Sequence, residues 1–238
     1  MFSDIFKKSM SINILVLEPF FGGSHKNFIE GLIRYSRHTF TLKTMPARFW
    51  KWRMRGAALH FSRLISEPGT YDLLFCSGMM SVSDLKALLG TQCPPIIVYF
   101  HENQLSYPLP PGEKMDYQFG FTDITNCLAA RHVLFNSYFH YSSFIEQLPT
   151  FLRMMPEYNC TWIPDEIMEK STVLYPGCDI PPADTTIQKP MGSTVVSTCS
   201  SAATDPIEEP LPEGAEEHKT TTAPLIIWNH RWEFDKNP

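Results

Sequence analysis

The chain has 238 residues, 43% of them hydrophobic and 13% aromatic, which suffices for a sizeable core and excludes disorder throughout. Its formal net charge is −5, but residues 181–223 hold seven acidic and only two basic side chains. The rest of the chain carries 18 acidic and 18 basic side chains. Net charge therefore indicates no class of partner, and only local clusters of charge can do so.

The start of the chain and its cysteines bear on the compartment. Residues 1–9 are too few and too charged for a secretory signal, and we interpret them as a leader. No apolar run approaches the roughly 18 residues of a membrane-spanning helix, so no membrane association is expected. The six cysteines form no CxxC pair, which favours a reduced, intracellular setting. We expect a cytoplasmic protein, with the nucleus as a second compartment.

Short apolar runs alternate with helical stretches along the first 180 residues. The predicted strands are 12–17, 39–43, 73–76, 96–100, 132–135 and 172–175. The predicted helices are 26–35, 48–65, 83–89, 117–130 and 137–154. Several strands are apolar without interruption, as in strands buried on both faces of a parallel sheet. This order predicts an α/β domain with a Rossmann-like, doubly wound parallel sheet over residues 10–180.

The composition changes after residue 180. Residues 181–223 contain no aromatic side chain and are rich in Pro, Ser, Thr, Ala and Glu, which predicts a disordered acidic linker. Residues 224–228 then resemble a new buried strand, and a loop runs on to residue 238. We interpret residues 224–238 as the first strand and loop of a second domain that is cut short.

The first predicted strand runs into Gly22, Gly23 and His25, and a helix follows. In an open parallel sheet, ligands bind outside the carboxyl ends of the strands. Paired glycines let the backbone approach a ligand, and a helix N-terminus offers free N–H groups to an anion. The alternative is an ordinary strand-to-helix turn with Ser24 as the N-cap, because a glycine pair alone is a weak signal.

Polar residues also follow the fourth and fifth predicted strands. After the fourth strand come His101, Glu102, Asn103 and Gln104. These side chains can hydrogen-bond sugar hydroxyls, and His101 or Glu102 can also transfer a proton. The alternative is a solvated loop with a histidine facing the core, but the position at a strand end favours binding. After the fifth strand, Asn136 is a further candidate contact and Ser137 is the expected N-cap.

The helix predicted at 48–65 has two contrasting faces. The core face is formed by Trp50, Met54, Ala57, Phe61 and Ile65. The other face carries Arg48, Lys51, Trp52, Arg55 and Arg63. Basic side chains around an exposed aromatic suit a nucleic-acid backbone and an unstacked base. An ordinary solvated face is an equally good explanation.

Arg231 and Lys236 stand in the loop after the last strand. An Arg fork and a Lys point charge suit a diphosphate, although on spacing alone two unrelated surface cations are the better explanation.

Three stretches together resemble the retaining GT-B glycosyltransferases of family four, in particular those that mannosylate queuosine in tRNA. They are residues 12–25 (INILVLEPFFGGSH), 101–108 (HENQLSYP) and 229–238 (NHRWEFDKNP). The resemblance implies two Rossmann-like domains around a cleft, with GDP-mannose as donor and queuosine in the anticodon loop of tRNA-Asp as acceptor. It also implies that no metal is needed.

The resemblance assigns roles to several of the residues above. Gly22 and Gly23 match the glycine loop near the donor, and His101 matches a histidine that contacts the donor sugar. Arg231 and Lys236 match the pair that binds the donor diphosphate. His25, Asn103, Gln104 and Asn136 remain candidate sugar or acceptor contacts.

The chain departs from the family's pattern in one respect. Nothing in it matches the second domain, which carries the nucleotide pocket and an acidic motif. We therefore expect an incomplete form or short splice isoform, inactive alone. The alternative is a non-catalytic regulatory isoform that binds tRNA or a protein partner.

Overall fold

The computed structural model describes residues 11–109 and 111–177, and a parallel sheet of six strands runs through them. The strands are β1 (Asn13–Phe21), β2 (Thr39–Pro46), β3 (Leu73–Ser77), β4 (Ile96–Phe100), β5 (His132–Phe135) and β6 (Ser171–Val173). Their spatial order is β2-β1-β3-β4-β5-β6, and every neighbouring pair is parallel. The predicted Rossmann-like α/β fold is confirmed.

Six α-helices connect the strands. They are α1 (Gly23–Tyr35), α2 (Trp50–Leu64), α3 (Val82–Leu89), α4 (Tyr117–Ala129), α5 (Tyr138–Leu152) and α6 (Ile163–Glu169). Helix α6 is absent from the sequence prediction because seven residues are too few to show a helical period. Ser137 is the predicted N-cap of α5, and its Oγ accepts the His140 N–H at 3.1 Å.

Two boundaries near the glycine turn differ from the prediction. Strand β1 continues to Phe21 rather than ending at residue 17, and its pairing with β2 shifts register between Glu18 and Phe21. Helix α1 begins at Gly23 with Gly22 as its N-cap. The alternative that made Ser24 the N-cap is therefore wrong, and the turn between strand and helix is tighter than the sequence indicated.

Side chains alternate along each strand, so the sheet has a core on each of its faces. Leu15 and Leu17 face the core that helices α2 to α6 cover. Ile14 and Val16 face a smaller core in which helix α1 contributes Phe28 and Ile29. Strands buried on both sides explain the uninterrupted apolar runs in the sequence.

The strand order places a crevice at the centre of the sheet. The chain moves outward from β1 to β2 and then returns past β1 to begin β3. Ligands of such sheets bind outside the carboxyl ends of the strands, where the order reverses. The residues that follow β1, β3 and β4 are therefore the ones that can form a binding site.

Several predicted features lie outside the described residues. They are the leader at 1–9, the linker at 181–223 and the strand and loop at 224–238, with Arg231 and Lys236. Within the ranges that are described, no helix is both long enough and apolar enough to cross a bilayer.

Candidate active site

Glu18 lies near the carboxyl end of β1 and is completely buried. A carboxylate in such a position is costly unless it is hydrogen-bonded. Its Oε1 accepts the Phe20 N–H at 2.8 Å and the Ser77 hydroxyl, from the end of β3, at 3.0 Å. Its Oε2 has no hydrogen-bond partner among the described residues. Glu18 therefore ties β1 to β3 at the point where the strand order reverses.

His25 lies directly above this carboxylate, in the first turn of α1. Its Nδ1 is 3.2 Å from Glu18 Oε1, a close contact that does not have the geometry of a hydrogen bond. The His25 ring stacks on that of His101, with ring centroids 3.8 Å apart and planes inclined by 26°. The first helix and the loop after β4 thus meet through two imidazoles.

His101 follows the last residue of β4 and is only partly buried. The edges of Phe28 and Tyr99 pack around its ring, with centroids at 5.5 and 4.8 Å. Burial and the neighbouring His25 and His140 lower the pKa of His101 to about 2. Its imidazole is therefore neutral near pH 7 and can both donate and accept a hydrogen bond.

The loop after His101 is held in place by buried polar groups. Asn103 is buried, and its Oδ1 accepts the backbone N–H groups of Leu105 and Ser106, each at 2.9 Å. The backbone N–H of Gln104 donates to Asp123 Oδ2 on α4 at 2.6 Å. Burial raises the pKa of Asp123 well above its usual value, although this hydrogen bond opposes the shift.

These contacts separate the predicted residues of this loop into two groups. Asn103 uses its amide to shape the loop, so a sugar contact by this side chain is not favoured. Glu102 and Gln104 are partly exposed, beside His101. Both side chains thus lie where a ligand at the sheet edge could reach them.

Asn136, at the end of β5, holds the backbone of His101. Its Nδ2 donates to the His101 carbonyl at 2.7 Å, and its Oδ1 lies 2.9 Å from Nδ1 of the buried His140. Burial lowers the pKa of His140 to about 4. The neutral His140 can then donate from Nδ1 to Asn136 Oδ1, so both ends of the Asn136 amide contact the protein itself.

The glycine turn leaves the N-terminus of α1 open. Gly23 has φ +51°, a left-handed conformation that favours glycine. A Cβ on Gly22 would lie 2.6 Å from the Cβ of Ala47, so only glycine fits there without a shift. Because Gly22 has no side chain to cap the helix, the first N–H groups of α1 can donate hydrogen bonds to an anionic ligand group.

Glu18, His25 and His101 also bring one carboxylate oxygen and two imidazole nitrogens within 4.8 Å of one another. Such donors can bind a cation or hydrogen-bond a substrate. An imidazole coordinates a metal in its own ring plane, so two stacked rings direct their nitrogens side by side rather than at one shared ion. The arrangement favours hydrogen bonding to a substrate.

The side chains predicted to bind RNA lie exposed on and just before α2: Arg48, Lys51, Trp52, Arg55 and Arg63. Trp52 is 76% exposed. Arg55 also packs on α4, with its guanidinium 4.9 Å from the Phe119 ring centroid and one nitrogen 3.4 Å from Gln118 Oε1. On the opposite face, the predicted core positions from Met54 to Ile65 are buried and Trp50 is half-buried.

Comparison with known proteins identifies the family to which these features belong. The family described as tRNA-queuosine alpha-mannosyltransferase N-terminal matches residues 13–178. The chain belongs to this family. The tRNA-queuosine alpha-mannosyltransferase of Drosophila melanogaster is 38% identical over 229 residues, covering 95% of this chain and 55% of that protein. The chain thus spans about half the length of this curated relative.

Sequence reasoning missed four residues of this family member's site. Glu18 is part of an apolar strand, Ser77 ends another strand, and Asp123 and His140 lie on the buried sides of α4 and α5. Glu18, which directly precedes Pro19, could have been recognised from the sequence as a site residue, because a charged group within a buried strand needs a polar partner. The partners themselves become visible only in three dimensions.

Because His101 and His140 are neutral in the folded domain, we expect the domain to lose stability in acid. The unfolded chain protonates His101 and His140 near pH 6.5, whereas in the fold their pKa values are about 2 and about 4. Their contribution to stability is therefore complete above about pH 6.5 and declines as the pH falls towards these lowered values. At pH 5 the loss is about 2 kcal/mol for each histidine.

This expectation is tested by urea unfolding at pH 7.5 and pH 5 for the parent and for His140→Gln. The raised pKa of Asp123 gives a pH dependence of opposite sign, but it acts in both proteins and cancels in the comparison. The variant should lose about 2 kcal/mol less than the parent between the two pH values. Equal losses would show that His140 does not resist protonation.

Proposed function

We propose that residues 10–180 form the N-terminal half of a retaining glycosyltransferase that moves mannose from GDP-mannose to queuosine in the anticodon loop of tRNA-Asp. The observation that carries the proposal is the cluster of Glu18, His25 and His101 at the central crevice, in a chain of the tRNA-queuosine alpha-mannosyltransferase family. A polar cluster at the carboxyl edge of a parallel sheet is where a ligand is expected.

The neutral imidazole of His101 supports a role in holding the reacting sugar. It can hydrogen-bond a hydroxyl without placing a cation beside a sugar that gains positive charge in the transition state. Glu102 adjoins it and is partly exposed, which suits a group that moves a proton. Gln104 supplies a further donor and acceptor for hydroxyl groups.

The departing diphosphate needs positive groups on more than one side. The open N-terminus of α1 at Gly22 and Gly23 offers backbone N–H groups. We assign Arg231 and Lys236 to the diphosphate itself, because a guanidinium fork and an ammonium together can neutralise it. With these cations in place, we propose that the transfer needs no metal ion.

The basic face of α2 supports docking of tRNA. Residues 31–66 contain eight Lys and Arg side chains and no Asp or Glu. Phosphates attract such a surface, and an exposed aromatic such as Trp52 can stack on an unpaired base. The N-terminus of α2 also lies at the carboxyl edge of the sheet, on the side of the candidate site.

Because this chain corresponds to 55% of the Drosophila melanogaster protein, we propose that turnover requires a second Rossmann-like domain. The 238-residue chain alone should bind tRNA and transfer no mannose. Transition-state stabilisation needs preorganised groups around the whole diphosphate, and the second domain would supply the rest of them.

The proposed reaction is tested by mass spectrometry of tRNA-Asp from cells that lack the protein. Its queuosine should carry no mannose, and re-expression of a complete, two-domain protein should restore the mannosyl group. Re-expression of the 238-residue chain should not restore it. Unchanged mannosyl-queuosine in the deficient cells would refute the proposed reaction, and restoration by the short chain would refute the need for a second domain.

A further inference from the structure

Phe49, the residue before α2, has an unusual backbone conformation. Its φ of 57° and ψ of 51° are left-handed, a region that bulky residues rarely adopt and that strains them. It is also the N-cap of α2, where Ser, Thr, Asp, Asn or Gly is preferred and where a phenyl ring cannot accept a hydrogen bond. Gly or Asn at this position would therefore adopt the left-handed conformation with less strain.

The ring of Phe49 is too exposed for packing contacts to offset this backbone strain. The residue is 68% exposed, and Trp52, one turn further along α2, is 76% exposed. Packing within the described residues therefore does not account for this conformation.

Phe49 lies close to the candidate active site. Pro46, at the end of β2, is the register partner of Phe21, and Ala47 abuts Gly22 so closely that no Cβ fits there. An Arg53 guanidinium nitrogen donates to the Pro46 carbonyl at 3.2 Å and fastens this loop to α2. The loop that presents Phe49 therefore packs against the glycine turn.

The charge around Phe49 identifies the kind of ligand. The guanidinium of Arg48 lies 5.8 Å from the Phe49 ring centroid, and Lys51 is exposed in the first turn of α2. Eight basic and no acidic side chains occur in residues 31–66. Exposed rings flanked by cations fit a base on a phosphate backbone, because the ring stacks while the cations bind phosphate.

We propose that Phe49 and Trp52 form a stacking platform for an unpaired nucleobase of the tRNA, beside the glycine turn. The inference rests on the proposed action on tRNA. It adds the residues that would hold an unpaired base of the anticodon loop near the reacting nucleoside. In this conformation the Phe49 ring lies exposed at the start of α2. A Gly or Asn would relieve the backbone but would leave no surface for the base.

Phe49→Gly tests the platform, because it removes the ring and suits the left-handed backbone. Tyr158→Gly is a matched control, since Tyr158 has φ 55° and is 89% exposed in the loop between α5 and α6. Both variants of the 238-residue chain should melt at or above the temperature of the parent. Only Phe49→Gly should weaken binding to a queuosine-containing anticodon stem-loop RNA, by about tenfold, and Phe49→Tyr should retain affinity.

A salt series separates stacking from ionic contacts. Phe49→Gly should leave the slope of log affinity against log salt unchanged, whereas Lys51→Gln should flatten it by somewhat under one unit. If the parent binds the RNA and Phe49→Gly binds it equally well, the platform is refuted and the proposed function stands. Equal weakening by Tyr158→Gly also refutes the platform. If the parent binds no RNA at all, the platform is refuted, and mass spectrometry of tRNA-Asp decides the proposed reaction separately.

Discussion

Replacing His101 with alanine is expected to lower mannosyl transfer by the complete enzyme roughly tenfold or more. Its neutral ring lies at the carboxyl edge of β4 and stacks on His25, where it can orient the sugar. His101→Phe removes the nitrogens but retains an aromatic ring in the stack. This second variant should lose similar activity at little cost in melting temperature.

His132→Ala provides the matched control for His101. His132 is the first residue of β5, at the amino edge of the sheet, and its Nε2 lies 2.9 Å from the Thr172 hydroxyl. Its removal should leave the rate constant near that of the parent. If His101→Phe turns over normally, or if His101→Ala only melts early with normal activity per folded molecule, His101 is a core histidine.

Glu18→Ala is expected to lower the free energy of unfolding by about 3 kcal/mol or more, because it leaves two polar groups inside the protein without a hydrogen-bond acceptor. The Phe20 N–H and the Ser77 hydroxyl lose their acceptor, and a small cavity opens. Glu18→Gln preserves the shape and one acceptor oxygen. It should cost about 1 kcal/mol.

Glu30→Gln is the surface control for these substitutions. Glu30 is exposed and lies 3.7 Å from Lys26, one turn earlier on α1, so its removal should change stability by less than about 0.5 kcal/mol. Urea unfolding of all four proteins measures the series. A loss in Glu18→Ala no larger than in Glu30→Gln would contradict a structural role for the buried carboxylate.

Most of the sheet could be predicted because several of its strands are continuously apolar. The runs at 73–76 and 96–100 show this pattern, and strand ends then locate the binding edge. Helix α6 and the extension of β1 to Phe21 could not be predicted. One is too short to show a period, and the other depends on pairing with β2 across a register shift.

Only part of the candidate site could be predicted from the sequence. His101 stands out because it follows a buried strand. Glu18 does not, because its partner Ser77 is 59 positions away in the chain. Asn103 and Asn136 carry the right chemistry for sugars, but their amides satisfy the protein's own backbone at 2.9 and 2.7 Å. The sequence alone does not reveal whether an amide side chain will bond to the protein's own backbone or to a ligand.

The hydrogen bond between Glu18 and Ser77 also bears on how the domain folds. A unit made of β1, α1 and β2 is local in the chain, but Glu18 gains the Ser77 hydroxyl only when β3 pairs with β1. The same group that shapes the site thus links the two halves of the sheet, and we expect the domain to unfold in a single cooperative transition.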